Sequence, residues 1–405
     1  MAEYKGMPYL RRKLAQKKPR VDLRYKYYDM KYKVRDLGIA MPESMRSLCA
    51  VLGWCGTAVD ALADRMEFFE FRNDIFDLNG IYNKNNPDVL FDSAILGSLI
   101  SSCDFIYISE DQNGFPRLQV IDGANATGNI DATTNLLTEG YAVLKRDADT
   151  NQPIREAYFL PNSTTYYEHG EPVQVYKHKV DFPLLVPIIN RPDAKRPFGH
   201  SVISRAGMEL VNGAIRTLKR SEITAEFYSF PQKYVTGLDP EGEQIEKWKA
   251  TMSTLLAFTK DQDGQSPILG QFQQASAAPH LEQFKLYASA FAGETNLTMD
   301  DLGFAGVNPS SSDAIKASHE KLRLKARKAQ RTFGTGFLNA GFLAACLRDD
   351  FMYNREVFYN TKIAWAPIFA PDAAELAGIG DAVNKIRQSF PDYFTAEKLR
   401  DLTGF

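Results

Sequence analysis

A stripe of cations in the second half of the chain has the residue types and the spacing needed to contact phosphate. Lys316, Arg323, Arg327 and Arg331 recur at intervals of seven and four residues, which places them along one side of an α-helix. Cations arranged in this way can neutralise nucleic-acid phosphates. The same pattern is typical of a solvated helix face, so the stripe alone leaves both interpretations open.

The segment before this helix, residues 297–311, has the opposite character. It contains no Lys or Arg, and it carries the adjacent acids Asp300 and Asp301. Gly303 and Gly306 allow backbone angles that other residues avoid, which favours a loop that can bend. Two neighbouring carboxylates could bind Mg²⁺, but no third ligand is evident, and a solvated acidic tip is the simpler interpretation.

The sequence also predicts where the basic helix begins. Pro309 disfavours helical geometry in the residue before it. Ser311 or Ser312 can cap the free N–H groups, and Asp313 suits the positive end of the helix dipole. We expect this helix to run to about Leu347. Its expected apolar face consists of Ile315, Leu322, Ala326, Ala329 and Phe333.

Two further helices with apolar stripes are predicted before the loop. Residues 281–294 and residues 201–230 both show apolar side chains at helical spacing. In the first helix these side chains are Leu281, Phe284, Ala288 and Phe291. In the second helix they are Ile203, Ala206, Leu210, Ala214 and Leu218. Each stripe is expected to pack against another element.

The N-terminal segment, residues 1–35, is rich in Lys, Arg and Tyr and has few acids. This composition suits an extended arm that lies on a partner, and a solvated tail is equally consistent with it. The segment lacks the apolar core of a signal peptide, and no stretch of the chain approaches the roughly 20 apolar residues that span a bilayer. We therefore expect a soluble, cytoplasmic chain.

The rest of the chain predicts an α+β fold. Helical periodicity is seen at 42–72, 86–99 and 372–387. Residues 104–189 change to alternating apolar and polar positions separated by turn residues such as Asn113-Gly114, which predicts an antiparallel β meander. Residues 231–280 read as a small mixed unit with strands at 233–236 and 267–272, and one more strand is expected at 357–365.

Composition argues against metal binding and against tight nucleic-acid binding over the whole protein surface. The formal net charge of the 405-residue chain is -2, whereas tight phosphate binding normally draws on an excess of cations. Four cysteines, at 49, 55, 103 and 346, show no zinc-like spacing, so free thiols in a reducing compartment are expected. The five histidines are scattered along the chain. We expect no metal and no cofactor.

Motifs for catalysis are also missing from the sequence. The chain has no phosphate-binding P-loop, no dinucleotide-binding glycine pattern, no H-E-x-x-H and no G-x-S-x-G. We therefore expect a protein that is not an enzyme and that has no catalytic residues.

The order of these elements resembles that of a tailed-bacteriophage portal protein, a member of the head-tail connector family. The most specific parts are the Phe198-Gly-His-Ser helix start, the Tyr234-Val-Thr-Gly-Leu strand and the loop and helix start at residues 303–314. The resemblance covers the chain from about Tyr27 to Trp365.

The resemblance implies a division of the chain into the parts of a portal subunit. Residues 1–200 would form the N-terminal arm and a mixed wing with the meander, and 201–230 and 281–296 would form two stem helices. The segment between them, 231–280, would form a small α/β clip. The remaining parts would be the tunnel loop at 297–311, the wing helix and returning strand at 312–365, and a short, reduced crown at 366–405.

The resemblance also implies a function. Portal subunits form rings, commonly of twelve, at a capsid vertex, where double-stranded DNA passes during packaging and ejection. The expected partners are other copies of the chain, the DNA, the terminase large subunit, a head-completion or adaptor protein and the major capsid protein, with no membrane. The location would be the virion, after assembly in the host cytoplasm.

The same resemblance assigns candidate site residues. A loop without cations suits a channel wall, because each fixed cation would hold the DNA that must slide past. The tunnel-loop candidates are Met299, Asp300, Asp301, Leu302, Gly303, Phe304, Ala305, Gly306, Val307 and Asn308. The candidates for docking the motor and adaptor at the clip are Lys233, Tyr234, Glu246, Lys249, Asp261 and Asp263.

Two other hypotheses belong to different classes. One is a nucleic-acid-binding accessory protein that uses the basic N-terminal segment and the helix at 312–331. The other is a phage-encoded enzyme with an unrecognised site. Binding to free DNA that depends on Arg323, Arg327 and Arg331 would distinguish the first, and an activity lost on a single side-chain change would distinguish the second.

Overall fold

The computed structural model of the chain combines helices with antiparallel sheets, so the predicted α+β class is confirmed. The structure describes residues 4–35, 49–229, 233–236, 268–271, 276–304, 312–369, 371, 373–391 and 393–403. The helices are α1 Met7–Tyr28, α2 Trp54–Ala63, α3 Leu78–Asn83, α4 Pro87–Ser101, α5 Arg205–Ser229, α6 Ala278–Thr295, α7 Ser312–Ser318, α8 Glu320–Arg348, α9 Ala373–Ser389 and α10 Ala396–Thr403. The strands are β1 Phe68–Arg72, β2 Cys103–Glu110, β3 Pro116–Ile121, β4 Ala126–Ile130, β5 Leu137–Arg146, β6 Pro153–Leu160, β7 Ser163–Glu168, β8 Glu171–Lys177, β9 Leu185–Ile189, β10 Lys233–Thr236, β11 Ile268–Gln271 and β12 Lys362–Trp365.

The chain divides into two compact units. The first contains residues 1–32, 53–208 and 292–405, and the second contains residues 33–52 and 209–291. The candidate loop and the basic helix both belong to the first unit.

The predicted meander is present in the first unit as the five-stranded antiparallel sheet β4-β5-β6-β7-β8. The first two predicted strands lie in a different sheet. There β2 is the central strand of the order β3-β2-β9, because β9 returns to pair with it and places Ile189 opposite Cys103. The meander is therefore shorter than the sequence pattern predicts.

The core of the first unit is built around the C-terminal half of α8. Phe333, Phe337, Phe342 and Leu343 of this helix are almost fully buried. Each large apolar side chain buried in this way contributes roughly 1.5–3 kcal/mol to folding. A Cβ atom at Gly336 would lie 2.8 Å from the Cδ1 atom of Ile188, so the missing side chain lets α8 pack directly on β9.

A buried carboxylate fixes α4 to the start of β2. Asp104 accepts hydrogen bonds from the Ser101 hydroxyl at 2.7 Å and from the Gly123 N–H at 2.9 Å. Burial raises the pKa of Asp104 to about 7, although the Ser101 hydrogen bond works in the opposite direction. Gly97 of α4 is required here, because a Cβ atom at this position would lie 1.8 Å from the Asp104 Oδ2 atom.

The prediction of an extended N-terminal arm is wrong. Residues Met7–Tyr28 form α1, which packs against the rest of the first unit. Leu10, Leu14 and Val21 are buried, at 0%, 4% and 1% exposure. The seven-residue interval between the last two is the apolar signal that the sequence interpretation missed beneath the many cations.

Several of those cations are used to dock α1. Arg11 donates to both carboxylate oxygens of Glu156, from Nε at 3.1 Å and from Nη2 at 2.6 Å. The Lys13 Nζ atom donates to the Gly128 carbonyl at 2.6 Å, and Arg24 donates to the Ser101 carbonyl at 2.9 Å. Burial, followed by repulsion from neighbouring lysines, lowers the pKa of Lys13 to about 8. The cations therefore act as internal contacts to the sheet and to α4.

Two other predicted elements are corrected. The single helix at 42–72 is replaced, in its described part, by α2 and by the strand β1, which pairs with β12 near the other end of the chain. Only the end of the predicted strand at 357–365 is a strand, because Arg355–Asn360 forms a 3₁₀ helix. In both cases a distant partner strand decides the conformation.

The second unit contains an antiparallel pair formed by α5 and α6. A Cβ atom at Gly213 would lie 2.6 Å from the Tyr287 ring, and the Thr224 hydroxyl lies 3.3 Å from the His280 Nε2 atom. The contact residue on α6 has a lower number as the residue number on α5 rises, so the two helices are antiparallel. In the same unit β10 pairs with β11, with Lys233 opposite Gln271.

The apolar stripes predicted for these two helices are confirmed only in part. Ala214, Ala288 and Phe291 are buried, whereas Ala206 is exposed and Leu281 is 52% exposed. Val211 and Ile215 are also buried on the described part of α5, so its packed face is rotated from the predicted one.

We predict that Leu10→Ala lowers the free energy of unfolding by about 2–5 kcal/mol, because the change leaves a cavity where α1 contacts the sheet. Leu23→Ala, on the same helix but 43% exposed, is the matched control and should change it by less than about 0.5 kcal/mol. Chemical denaturation of both variants measures the difference. Equal effects would show that α1 is not docked as described.

Candidate functional site

The described part of the candidate loop, residues 297–304, is a closed turn. The Thr298 N–H and hydroxyl donate to the Asp301 Oδ2 atom at 2.7 and 2.9 Å, and the Asp301 N–H donates back to the Thr298 hydroxyl at 3.2 Å. This reciprocal arrangement encloses the 3₁₀ turn Asp300–Leu302. Gly303 then ends the turn with a φ of 85°, in the left-handed region that favours glycine.

Asp301 also connects the loop to the start of the basic helix. The His319 Nε2 atom lies 3.2 Å from both carboxylate oxygens of Asp301, and the His319 Nδ1 atom lies 2.9 Å from the Ile315 carbonyl oxygen. Both ring nitrogens therefore lie within hydrogen-bond distance of oxygen atoms. Burial acts to raise the pKa of Asp301, but hydrogen bonds from Thr298 and His319 outweigh it and hold that pKa below its ordinary value.

The connection at His319 divides the predicted long helix into α7 and α8. Leu322, Ala326 and Phe333 are buried as expected, but Ile315 is 48% exposed, so its prediction as a core residue is wrong. It lies on α7, the short helix before the break at His319. In the sequence the break is marked only by His319, three residues beyond Lys316. A histidine at that position does not by itself predict the end of a helix.

One set of the predicted cations lies in a groove of about 710 Å³, which we call the basic groove. Its opposite wall is apolar and includes Ile363, Trp365 and Phe369. The cations that line it are Arg72, Lys316, Arg323, Arg327 and Lys362. Arg323 is held by Glu320 through two hydrogen bonds of 2.7 and 2.8 Å, and Lys316 forms an ion pair with Glu375.

Arg331 lies in a different groove, of about 510 Å³, with Lys328 and Arg191. The predicted stripe is divided because every four residues on an α-helix advance the direction by about 40°, so Arg331 points well away from Arg323. Between the two grooves Lys325 turns inward and donates to the Thr295 carbonyl at 3.3 Å. Burial, followed by repulsion from Arg191, lowers the pKa of Lys325 to about 8.

The remaining candidates are only partly described. Met299, Leu302 and Phe304 are half-buried and Asp300 is exposed, whereas Ala305, Gly306, Val307 and Asn308 lie outside the described residues. Of the clip candidates, Lys233 and Tyr234 lie on β10. Glu246, Lys249, Asp261 and Asp263 lie outside the described residues.

The chemical inventory of the described residues is limited. They contain no cluster of three or more His, Cys, Asp or Glu side chains able to hold a metal ion. Cys55, Cys103 and Cys346 are buried free thiols, as predicted, and burial raises the pKa of Cys55 and Cys103 to about 12. None of the described helices is long and apolar enough to cross a bilayer.

Comparison with known proteins gives two relatives with the same name. The portal protein of Mycobacterium phage L5 is 25% identical over 332 residues, which cover 76% of this chain and 67% of that protein. The portal protein of Mycobacterium phage D29 is 25% identical over 342 residues, which cover 78% of this chain and 69% of that protein. The resemblance to phage portal proteins is confirmed. The predicted virion location agrees with these two portal relatives. No protein-family model matches the chain.

Solved structures with a related course of chain come from gene transfer agent particles. A chain of the virion of the native particle covers 87% of this chain and 89% of its own length, with 13% identity and a TM-score of 0.44. A chain of the neck of the native particle covers 91% of this chain and 95% of its own length, with 12% identity and a TM-score of 0.45.

We predict that Asp301→Asn destabilises the first unit by roughly 1 kcal/mol at pH 7, because it removes the charge that Thr298 and His319 stabilise. The pKa of Asp301 is lowered in the folded chain, so its contribution is present above the unfolded pKa of about 3.9 and is lost as pH falls through the folded value. Thermal unfolding between pH 7 and pH 3 should show the two proteins converging in acid. Asp300→Asn, at the exposed neighbour, is the control, and an equal loss there would contradict this account.

Proposed function

We propose that this chain is the subunit of a portal ring at a phage capsid vertex and that double-stranded DNA passes through the ring during packaging and ejection. The observation that carries the proposal is the match to two phage portal proteins over about three quarters of the chain. The match is too long to reflect one shared motif. A structural role, without catalysis, accords with it.

The chemistry of the candidate loop supports a place for residues 297–311 on the channel wall. A wall that lets DNA slide must avoid fixed cations, because each cation that neutralises a phosphate adds salt-sensitive binding. The segment has no Lys or Arg. Of its two acids, Asp301 is held by Thr298 and His319, so the turn has a defined shape that does not depend on DNA.

The antiparallel pair α5 and α6 supports the stem assignment of 201–230 and 281–296. Two long adjacent helices can present one face to each other and other faces to neighbouring copies and to the lumen. Exposed Leu281 and Leu286, at 52% and 66%, are available on α6 for such contacts. By the same proposal, the segment 231–280 docks the terminase motor and the head-completion protein, and the wing contacts the major capsid protein.

The alternative of a nucleic-acid-binding accessory protein is favoured by one observation, the basic groove. It is weakened by α1, because Arg11, Lys13 and Arg24 of the basic N-terminal segment are engaged in contacts within the first unit. Cations committed in this way contribute less to phosphate binding. The ring proposal therefore explains more of the chain.

We predict that the purified chain assembles into closed rings with an axial opening wide enough for a DNA duplex. Native mass measurement should give a multiple of the 45.5 kDa subunit, and negative-stain images should show annular particles. A mass of one subunit at every concentration, with no rings, would overturn the proposal. In a reconstruction of the ring, residues 297–311 should lie on the channel wall, and a position away from the opening would remove their assigned role.

A further inference from the structure

A second groove in the first unit carries charge of the opposite sign to the basic groove. It encloses about 820 Å³, and the described residues that line it include no Lys or Arg. We call it the acidic groove, and its acids are Asp60, Asp64, Glu67, Asp88 and Asp92. Its apolar lining includes Phe68, Phe91 and Leu96.

The acids of this groove are poorly neutralised by the chain itself. Asp60 accepts a hydrogen bond from the Tyr28 hydroxyl at 2.9 Å. In the part of the chain that the structure describes, Asp64, Glu67, Asp88 and Asp92 form no ion pair. Burial, then repulsion from Asp88, Glu67 and Asp64, raises the pKa of Asp92. Among the described residues, the fold thus concentrates negative charge beside apolar surface without a paired cation.

The basic groove, in turn, has cations without an acidic partner. Three of its cations are engaged, since Arg72 pairs with Glu70, Arg323 pairs with Glu320 and Lys316 pairs with Glu375. Arg327 and Lys362 are exposed and form no ion pair with any residue for which the structure gives a position. They stand beside the half-buried apolar wall of Trp365 and Phe369.

The two grooves are distinct surfaces at the two ends of β1. Glu67 and Phe68 line the acidic groove and Arg72 lines the basic groove, and these ends are separated by about 15 Å of extended strand. The chain before β1 sends its side chains to both: Asp64 lines the acidic groove, whereas the Arg65 guanidinium lies 5.5 Å from the centre of the Phe369 ring. One copy of the chain therefore presents both surfaces at once.

The first turns of α4 form a projecting rim of the acidic groove. Asp88, Val89 and Asp92 are all exposed there, and Val89 is 70% exposed. The rim combines an apolar side chain with two carboxylates, which matches an apolar wall with two unpaired cations. Its position is fixed because Asp104 and Gly97 hold the other end of α4 against β2.

A cyclic ring joins two different surfaces of each subunit, one to the preceding copy and one to the next. We propose that the α4 rim of one copy, with Asp88, Val89 and Asp92, docks into the basic groove of the next copy, where Arg327, Lys362 and the apolar wall receive it. This inference rests on the proposed ring function and names the contact that closes the ring. Opposite charges across such a contact also select the correct register, since like surfaces repel.

Charge reversal on each side tests this contact. The acid-reversed variant carries Asp88→Lys and Asp92→Lys, and the base-reversed variant carries Arg327→Glu and Lys362→Glu. Each alone should reduce the fraction of subunits in rings by more than tenfold, because every contact then joins like charges. The variant with all four changes should form rings again, since its reversed rim meets a reversed groove.

A one-to-one mixture of the two reversed variants gives a second test. One variant is then positive on both surfaces and the other is negative on both, so the two should assemble only with each other. The product is an alternating ring with an even number of subunits, detectable by native mass as equal amounts of both chains. Controls with matched charge change on exposed positions of the meander are Glu168→Lys with Glu171→Lys and Lys145→Glu with Lys177→Glu. They should assemble like the unaltered chain.

The outcomes separate this inference from the proposed function. If the unaltered chain forms rings and both reversed variants also do, the contact is wrong and the ring stands. If the unaltered chain forms no rings, the proposed function itself fails. A base-reversed variant that forms rings but loses binding to free duplex DNA would assign the basic groove to nucleic acid and overturn the contact. Thermal unfolding of each variant checks folding, and failure of both the fourfold variant and the mixture to assemble also rejects the contact.

Discussion

Burial of the C-terminal half of α8 is the constraint on which the first unit depends. Phe337 packs against Phe91 of α4 and Trp365 of β12, and Phe342 packs against Phe358. Gly336 lets the same half of the helix lie directly on β9. The N-terminal half of the same helix then has no freedom to rotate. Its cations are divided by helix geometry, so that Arg323 and Arg327 enter one groove and Arg331 enters another. The packing of an apolar segment thus decides where charges more than a turn away are placed.

The small net charge of -2 conceals a strong separation of charge. Some cations of α1 are engaged with sheet acceptors such as Glu156 and the Gly128 carbonyl, while five acids gather in one groove whose described lining has no cation. Opposite charges in contact largely cancel each other's electrostatic field at long range. Unpaired charges of one sign attract or repel a partner over roughly a Debye length. The distribution of charge, which composition cannot show, carries the information about partners.

Local patterns in the sequence predicted the elements that local physics decides. The meander follows from alternation and turn residues, and α4, α6 and α9 follow from helical periodicity. Three of the failures involve distant partners. β1 reads as the end of a helix until β12, nearly 300 residues later, pairs with it. The break at His319 depends on Asp301, and α1 appeared to be an arm because its docking surface is made by β4 and β5. For the same reason the acidic groove, which joins α2, β1 and α4, had no signal in the sequence.

A conduit for DNA and a ring of subunits place opposite demands on charge. The wall that faces the duplex must offer few cations, because bound phosphates would arrest sliding, whereas contacts between subunits gain direction and register from unpaired charges. One chain can meet both demands only by placing its charges on different elements. Here residues 297–311 carry no Lys or Arg, and the first turns of α4 and the exposed face of α8 carry the unpaired acids and cations. The Asp301 contact with His319 joins these two regions, since it fixes the Asp300–Leu302 turn of the cation-free loop to the start of α8. A movement of the loop during DNA passage would therefore act first on the start of α8, and through it on the groove that we assign to the neighbouring copy.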